Sequence, residues 1–118
     1  MRLKPGAKIA GLKPEMTFAL QVMEPIFRKF AGCEMVVTEG TGGKHMVGSR
    51  HYDGYAVDIR SRDIDGNLIP LVLDRLKNKL GDEYDCLFET NHFHVELSEI
   101  PAVNSDNGNG DSFVRGEE

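Results

Sequence analysis

Residues 48–60 read GSRHYDGYAVDIR, and the fold turns on that stretch. Its second half alternates as a strand does: Ala56, Asp58 and Arg60 fall on one face, Val57 and Ile59 on the other. Its first half carries His51 and then Gly54, a residue at which the backbone turns sharply. If the chain reverses near Gly54, His51 and Asp58 approach each other across the bend. A carboxylate set between two apolar residues of a strand is costly if it is buried without a partner. The spacing Ser49-x-His51-x-x-Gly54-x-Ala56-x-Asp58 therefore asks what Asp58 is paired with.

Upstream, a Gly-rich loop over 40–49 follows CEMVVTEG (33–40), which reads as a strand because Met35, Val36 and Val37 are β-formers and Gly40 ends them. Before it, Met16, Ala19, Leu20, Met23, Phe27 and Phe30 recur at helical spacing over 12–31. Pro14 suits a first turn, and Pro25 predicts a kink or two short helices in place of one rod. Downstream, DIDGN is a turn, and Ile69, Val72, Leu73, Leu76 and Leu80 form a helical stripe ending at Gly81. YDCLFET and HFHVEL then read as two strands with a tight connection. The order helix, strand, strand, helix, strand, strand predicts an α+β fold. We expect a single small domain over residues 1–100, with an antiparallel sheet and helices packed on one side. Residues 101–118, polar, Gly-rich and acidic, are expected to be a disordered tail.

At 118 residues the chain can bury one core but not two. Its net charge of −5 leaves no basic footprint, so neither nucleic acid nor an anionic membrane is expected as a partner. No apolar run approaches a membrane span, and the basic N-terminus lacks the apolar centre of a secretory signal, so cytoplasmic synthesis is expected. Cys33 and Cys86 lack CxxC spacing and read as two buried, reduced thiols.

The four histidines, His45, His51, His92 and His94, cluster in two short segments. His92 and His94, two apart on a strand, point to one face. Zinc accepts imidazole nitrogen and carboxylate oxygen, and a catalytic zinc keeps three protein ligands and one open position. His51 and Asp58 with either histidine of the pair complete such a set, leaving the other beside it.

The motif Ser49-x-His51-x-x-Gly54-x-Ala56-x-Asp58, followed by a His-x-His strand, resembles the zinc D-Ala-D-Ala metallopeptidases. That family includes D-Ala-D-Ala carboxypeptidases and dipeptidases and the L-alanyl-D-glutamate endopeptidases of phage lysins, and the Hedgehog signalling domain shares its fold. VVTEGTGGKHMVGSRHYDGYAVDIR and YDCLFETNHFHVEL carry the likeness, which spans roughly residues 12–97. The resemblance implies a Hedgehog-like fold and one zinc ion held by His51, Asp58 and His94. It makes Glu89 the catalytic acid and base, aided by His92 and His45. Ser49 is implied as a hydrogen-bonding support and Lys44 as a contact for the substrate carboxylate. Glu39 alone is left of the acidic cluster that binds calcium in Hedgehog proteins, so no calcium site is expected.

The activity so implied is hydrolysis of a peptide bond in peptidoglycan stem peptides, of D-Ala-D-Ala carboxypeptidase or L-Ala-D-Glu endopeptidase type. A monomer is expected. Small size without a secretory signal fits a phage lysin that reaches the cell wall through a holin. The main rival is a non-catalytic, Hedgehog-like zinc-binding module, from which the presence of a general base, Glu89, separates this chain. A non-haem iron oxygenase also uses two histidines and a carboxylate, but its cosubstrate-binding groups are not visible in the sequence.

Overall fold

Strand pairing explains most of the architecture. The computed structural model describes residues 1–43 and 48–99, and the tail expected over 101–118 lies outside them. Its elements in chain order are β1 (Arg2–Leu3), α1 (Pro14–Ile26), β2 (Val36–Glu39), β3 (Ala56–Arg60), α2 (Ile69–Leu80), β4 (Tyr84–Glu89) and β5 (His92–Leu97). The strands form one sheet in the order β1-β2-β3-β5-β4. β1 runs parallel to β2, and the other neighbours are antiparallel. The sheet is thus mixed, a correction to the antiparallel one expected. The extra strand escaped the sequence reading because two exposed residues carry no alternation. Backbone bonds hold it: Arg2 N–H donates to the Met35 carbonyl and Lys4 N–H to that of Val37, each at 2.9 Å.

β4 and β5 form a hairpin whose turn holds Thr90 at φ 49°, and the register places Glu89 opposite His92. β5 then pairs along the whole of β3, with Asp58 opposite His94 and Arg60 opposite His92. Between β2 and β3 the register slips, two residues of β2 spanning one step of β3 between Val37 and Glu39. A bulge of this kind adds local twist, and it lies in the row that contains Asp58.

Alternation gives the sheet an apolar face. Val37, Val57, Ile59, Phe93 and Val95 join Met16, Ala19, Leu20 and Met23 of α1 and Val72, Leu76 and Leu80 of α2 in one core, so both helices cover the same side. Phe93 meets Phe27 edge-on, ring centroids 5.6 Å apart, an arrangement favoured by the ring quadrupoles. The Tyr84 hydroxyl donates to the Glu15 carbonyl at 2.8 Å, tying β4 to α1.

The helix boundaries follow local chemistry. α1 starts with Pro14, as expected, but runs through Pro25 instead of breaking there, and then widens into a π-helical turn over Phe27–Ala31. Pro25 has no N–H for the carbonyl four residues back, and the looser turn that follows keeps Phe27 in the core. α2 follows a short 3-10 turn capped by Asp65, whose side chain accepts from Asn67 N–H, and ends at Gly81 with φ 78°. Cys86 is buried, and burial pushes its thiol up to about 11; Cys33 is only partly buried, unlike its expectation. Among the described residues no helix is long and apolar enough to cross a membrane.

Candidate metal centre

The face of the sheet turned away from the helices is polar. Asp58 and Arg60 on β3 and His92, His94 and Glu96 on β5 project there by alternation with the core residues. Asp58 and His94 are direct cross-strand partners, which puts their side chains in contact range. Two strands alone thus supply a carboxylate and an imidazole at one spot.

His51 arrives from the loop. Residues 49–55 fold into consecutive turns, with Tyr52 N–H donating to the Ser49 carbonyl at 3.2 Å, Gly54 to His51 at 3.1 Å and Tyr55 to Arg50 at 2.9 Å. Gly54 is required here: its φ is +83°, and a β-carbon would stand 2.3 Å from the Gly11 carbonyl oxygen. The reversal expected at Gly54 is present. It brings His51 over β3, where the ring is almost fully buried. The Ser49 hydroxyl oxygen accepts from His51 N–H at 3.2 Å, a supporting contact.

Three ligand atoms converge. His51 Nε2 lies 3.2 Å from Asp58 Oδ1, and His94 Nδ1 lies 2.9 Å from the same oxygen. One atom from each of His51, Asp58 and His94 falls within 4.8 Å of the others. A tetrahedral ion with bonds of ~2.0–2.1 Å keeps its ligands about 3.3 Å apart, so the two contacts at Asp58 are close to that spacing. The group could hold a metal ion.

The outer contacts suit that use. His51 Nδ1 lies 2.8 Å from the Gly40 carbonyl oxygen, which can only accept, so Nδ1–H donates there and Nε2 faces Asp58. Gly40 must be small, since a β-carbon would sit 2.6 Å from the Lys8 carbonyl oxygen. His94 Nε2 lies 2.8 Å from Glu96 Oε1, and Glu96 Oε2 is held by Arg50 at 3.1 Å. Arg50 also donates to the carbonyls of Leu97 and Ser98. This is the pattern in which a carboxylate behind a histidine fixes the ring and aims its other nitrogen.

Charge follows the geometry. Burial pushes the Asp58 carboxyl up, but hydrogen bonds from His51 and His94 outweigh it and hold the group well below the usual carboxylate range. The hydrogen bond to Asp58, with another to Glu96, raises His94 to about 9 against the opposing effect of burial. The protonated ring of His94 donates to both carboxylates, Nδ1–H to Asp58 and Nε2–H to Glu96.

The other expected site residues separate into two groups. His92 Nε2 is 3.7 Å from Asp58 Oδ1 and 3.3 Å from Glu89 Oε1, so it stands beside the cluster and links it to Glu89. Glu89, at the end of β4, keeps its side chain 51% exposed. Lys44 and His45 lie outside the described residues. In the sequence Arg50 has no task at the site, and Glu96 reads there as either an exposed strand residue or an outer partner of the ligands. Glu96 was legible in principle, standing two residues after His94 on the same strand face. Arg50 carried no signal, since its role depends on how the loop folds over β5.

No protein-family model matches the chain, and no curated protein matches it.

Proposed function

We propose that this chain is a zinc-dependent hydrolase that cuts a peptide bond in peptidoglycan stem peptides, of D-Ala-D-Ala carboxypeptidase or L-Ala-D-Glu endopeptidase type. The observation that carries the proposal is the convergence of His51, Asp58 and His94, with both imidazoles oriented from behind by Gly40 and Glu96. Two neutral imidazoles and one carboxylate are a donor set that suits zinc and leaves room for a further ligand. The resemblance of the His51–Asp58 motif and the His92-x-His94 strand to zinc D-Ala-D-Ala metallopeptidases supplies the substrate class.

A zinc ion at this site supplies Lewis acidity, which eases the ionisation of water towards about pH 7 and polarises a carbonyl. The remaining work falls to side chains. Glu89 takes a proton from the attacking water and passes it to the leaving amine, as general base and then general acid. His92, between Glu89 and Asp58, donates to the oxyanion that develops on the scissile carbonyl, an interaction that is worth several kcal/mol when the donor is already in place. Ser49 steadies the loop that carries His51.

A non-catalytic zinc-binding module is the second reading, favoured by the half-exposed carboxylate of Glu89. Purified muropeptides incubated with zinc-loaded protein separate the two. Mass spectrometry is expected to show loss of D-Ala or cleavage after L-Ala in the wild type, and neither with Glu89→Gln, which still binds zinc. Undigested muropeptides with fully loaded wild-type protein would favour the binding module.

A further inference from the structure

The glycines that follow β2 fold around one side chain, that of Glu39. It ends β2 and stands opposite Asp58 in the strand register. Among the described residues Glu39 has no ion-pair partner, and its carboxylate meets the backbone of its own loop. Oε1 accepts from Gly40 N–H at 3.2 Å. A β-carbon on Gly42 would press on the same oxygen at 3.2 Å. One on Gly43, whose φ is +81°, would stand 2.8 Å from the Glu39 carboxyl carbon. Lys8 closes on the loop from another side. Its Cβ and Cδ would each meet a Gly42 β-carbon at 3.2 Å, and its carbonyl accepts from Thr41 N–H at 2.8 Å. The Thr41 hydroxyl donates to the Ala10 carbonyl at 2.7 Å. The spacing TEGTGG (38–43) is thus what lets a chain wrap a carboxylate this closely.

That loop delivers one peptide unit to the metal centre. The unit joining Gly40 and Thr41 gives its N–H to Lys8 and receives His51 Nδ1–H on its carbonyl at 2.8 Å. A peptide plane held only at its N–H can still turn about that bond. The restraint on its other side is the Gly40 N–H, which Glu39 holds. From this we infer that Glu39 is a positioning residue of the metal centre: its carboxylate holds residues 40–43 so that the Gly40 carbonyl stands behind His51 and Nε2 is turned to the ion. The inference rests on the metal-centre reading above, and it goes beyond it by placing the control of His51 one residue further back. Glu39 acts through Gly40 and His51, not on the ion. An ionised acceptor makes the stronger bond to a backbone N–H, and partners behind a ligating histidine are what fix its ring.

The test compares wild type, Glu39→Ala, Glu39→Gln and Gly43→Ala. The His51 Nδ1–H is followed by nitrogen-15 NMR of the histidine rings in zinc-free protein, its signal assigned by its absence in His51→Gln. Zinc affinity is measured by competition with a chromogenic chelator. We expect the wild type to protect this ring proton from exchange with water. Glu39→Ala loses the protection and binds zinc about 10–100-fold more weakly, as the loss of an outer contact does. Glu39→Gln, whose amide oxygen still accepts from Gly40, keeps the proton protected and most of the affinity. Gly43→Ala leaves the carboxylate in place but forces the loop off it, and is expected to match Glu39→Ala. It carries the test if Glu39→Ala does not fold. An unprotected ring proton in the wild type, or one still protected in Glu39→Ala or Gly43→Ala, overturns the inference. So does a Glu39→Gln variant that loses zinc affinity with its ring proton still protected, since the carboxylate charge would then act on the ion directly. Absence of zinc binding by the wild type instead removes the metal-centre reading, and the ring proton of the zinc-free proteins still decides whether Glu39 positions His51.

Discussion

The two faces of β3 and β5 are built from the same ten or so residues and obey opposite rules. Val57, Ile59, Phe93 and Val95 face the helices and are fully buried. Asp58, His94 and Glu96, alternating with them, face outward and are bound to one another or to Arg50. On the inner face contacts are interchangeable and their number decides stability. On the outer face Asp58, His94 and Glu96 each have named partners, and losing one changes chemistry more than folding. A sheet of this kind lets a rigid core fix where a polar cluster is anchored, since the backbones of Asp58 and His94 are direct partners in the β3–β5 ladder.

The sharpest break of the comparison is on the inner face. Phe93 packs edge-on against Phe27 at 5.6 Å and against Phe88 at 5.3 Å. Phe93→Ala is expected to lower stability by about 3–5 kcal/mol, read from urea denaturation of the metal-free protein. On the outer face, His94→Ala should do far less to that curve when both are read at about pH 9, where the ring has given up most of its proton. Asp58 keeps His51 at 3.2 Å and Glu96 keeps Arg50 at 3.1 Å, so no carboxylate is left alone. Its effect falls on the metal, with zinc affinity dropping by more than the roughly 10–100-fold that an outer contact is worth. Similar denaturation losses in both variants would erase the division between the faces.

Glu96 sharpens the same contrast. Of the three ligand residues it touches His94 alone, at Nε2 and 2.8 Å, while Arg50 holds its other oxygen at 3.1 Å. Glu96→Ala should weaken zinc binding by about 10–100-fold, and Glu96→Gln, which still offers an acceptor, should recover part of it. Isothermal titration with zinc reads both values. Unchanged affinity in Glu96→Ala would mean that His94 is aimed by the strand alone.

How much of this was legible in sequence depends on what each feature rests on. Helices and core strands follow from local periodicity, so the stripes of α1 and α2 and the alternation of 55–60 could be read directly. Asp58 was legible from the phase of its strand, but that phase fits His92 and His94 equally, and only the family resemblance singled out His94. β1 was not, because two residues have no period, and neither was the π-helical turn after Pro25. Arg50 stayed silent for another reason: it acts only through the fold of a loop over β5, and that is not written in local spacing.

The effect of pH takes its sign from the two carboxylates beside His94. In metal-free protein His94 holds its proton up to about 9. An ion that takes Nδ1 must displace that proton, so below about 9 uptake releases it and affinity falls as pH drops, by up to about tenfold per unit. Metal-free stability runs the other way. The folded value lies above the ordinary 6.5, so the contribution of His94 is complete below 6.5 and is lost as pH rises through about 9. Asp58 is depressed, so its contribution is present above its ordinary 3.8 and is lost as pH falls well below that. Thermal melts from pH 6 to 9 should therefore show metal-free stability declining while the rise in Tm produced by a fixed zinc concentration grows. A zinc-induced rise that stays constant across that range would mean that His94 gives up no proton to the ion, and the outer face would lose its third ligand.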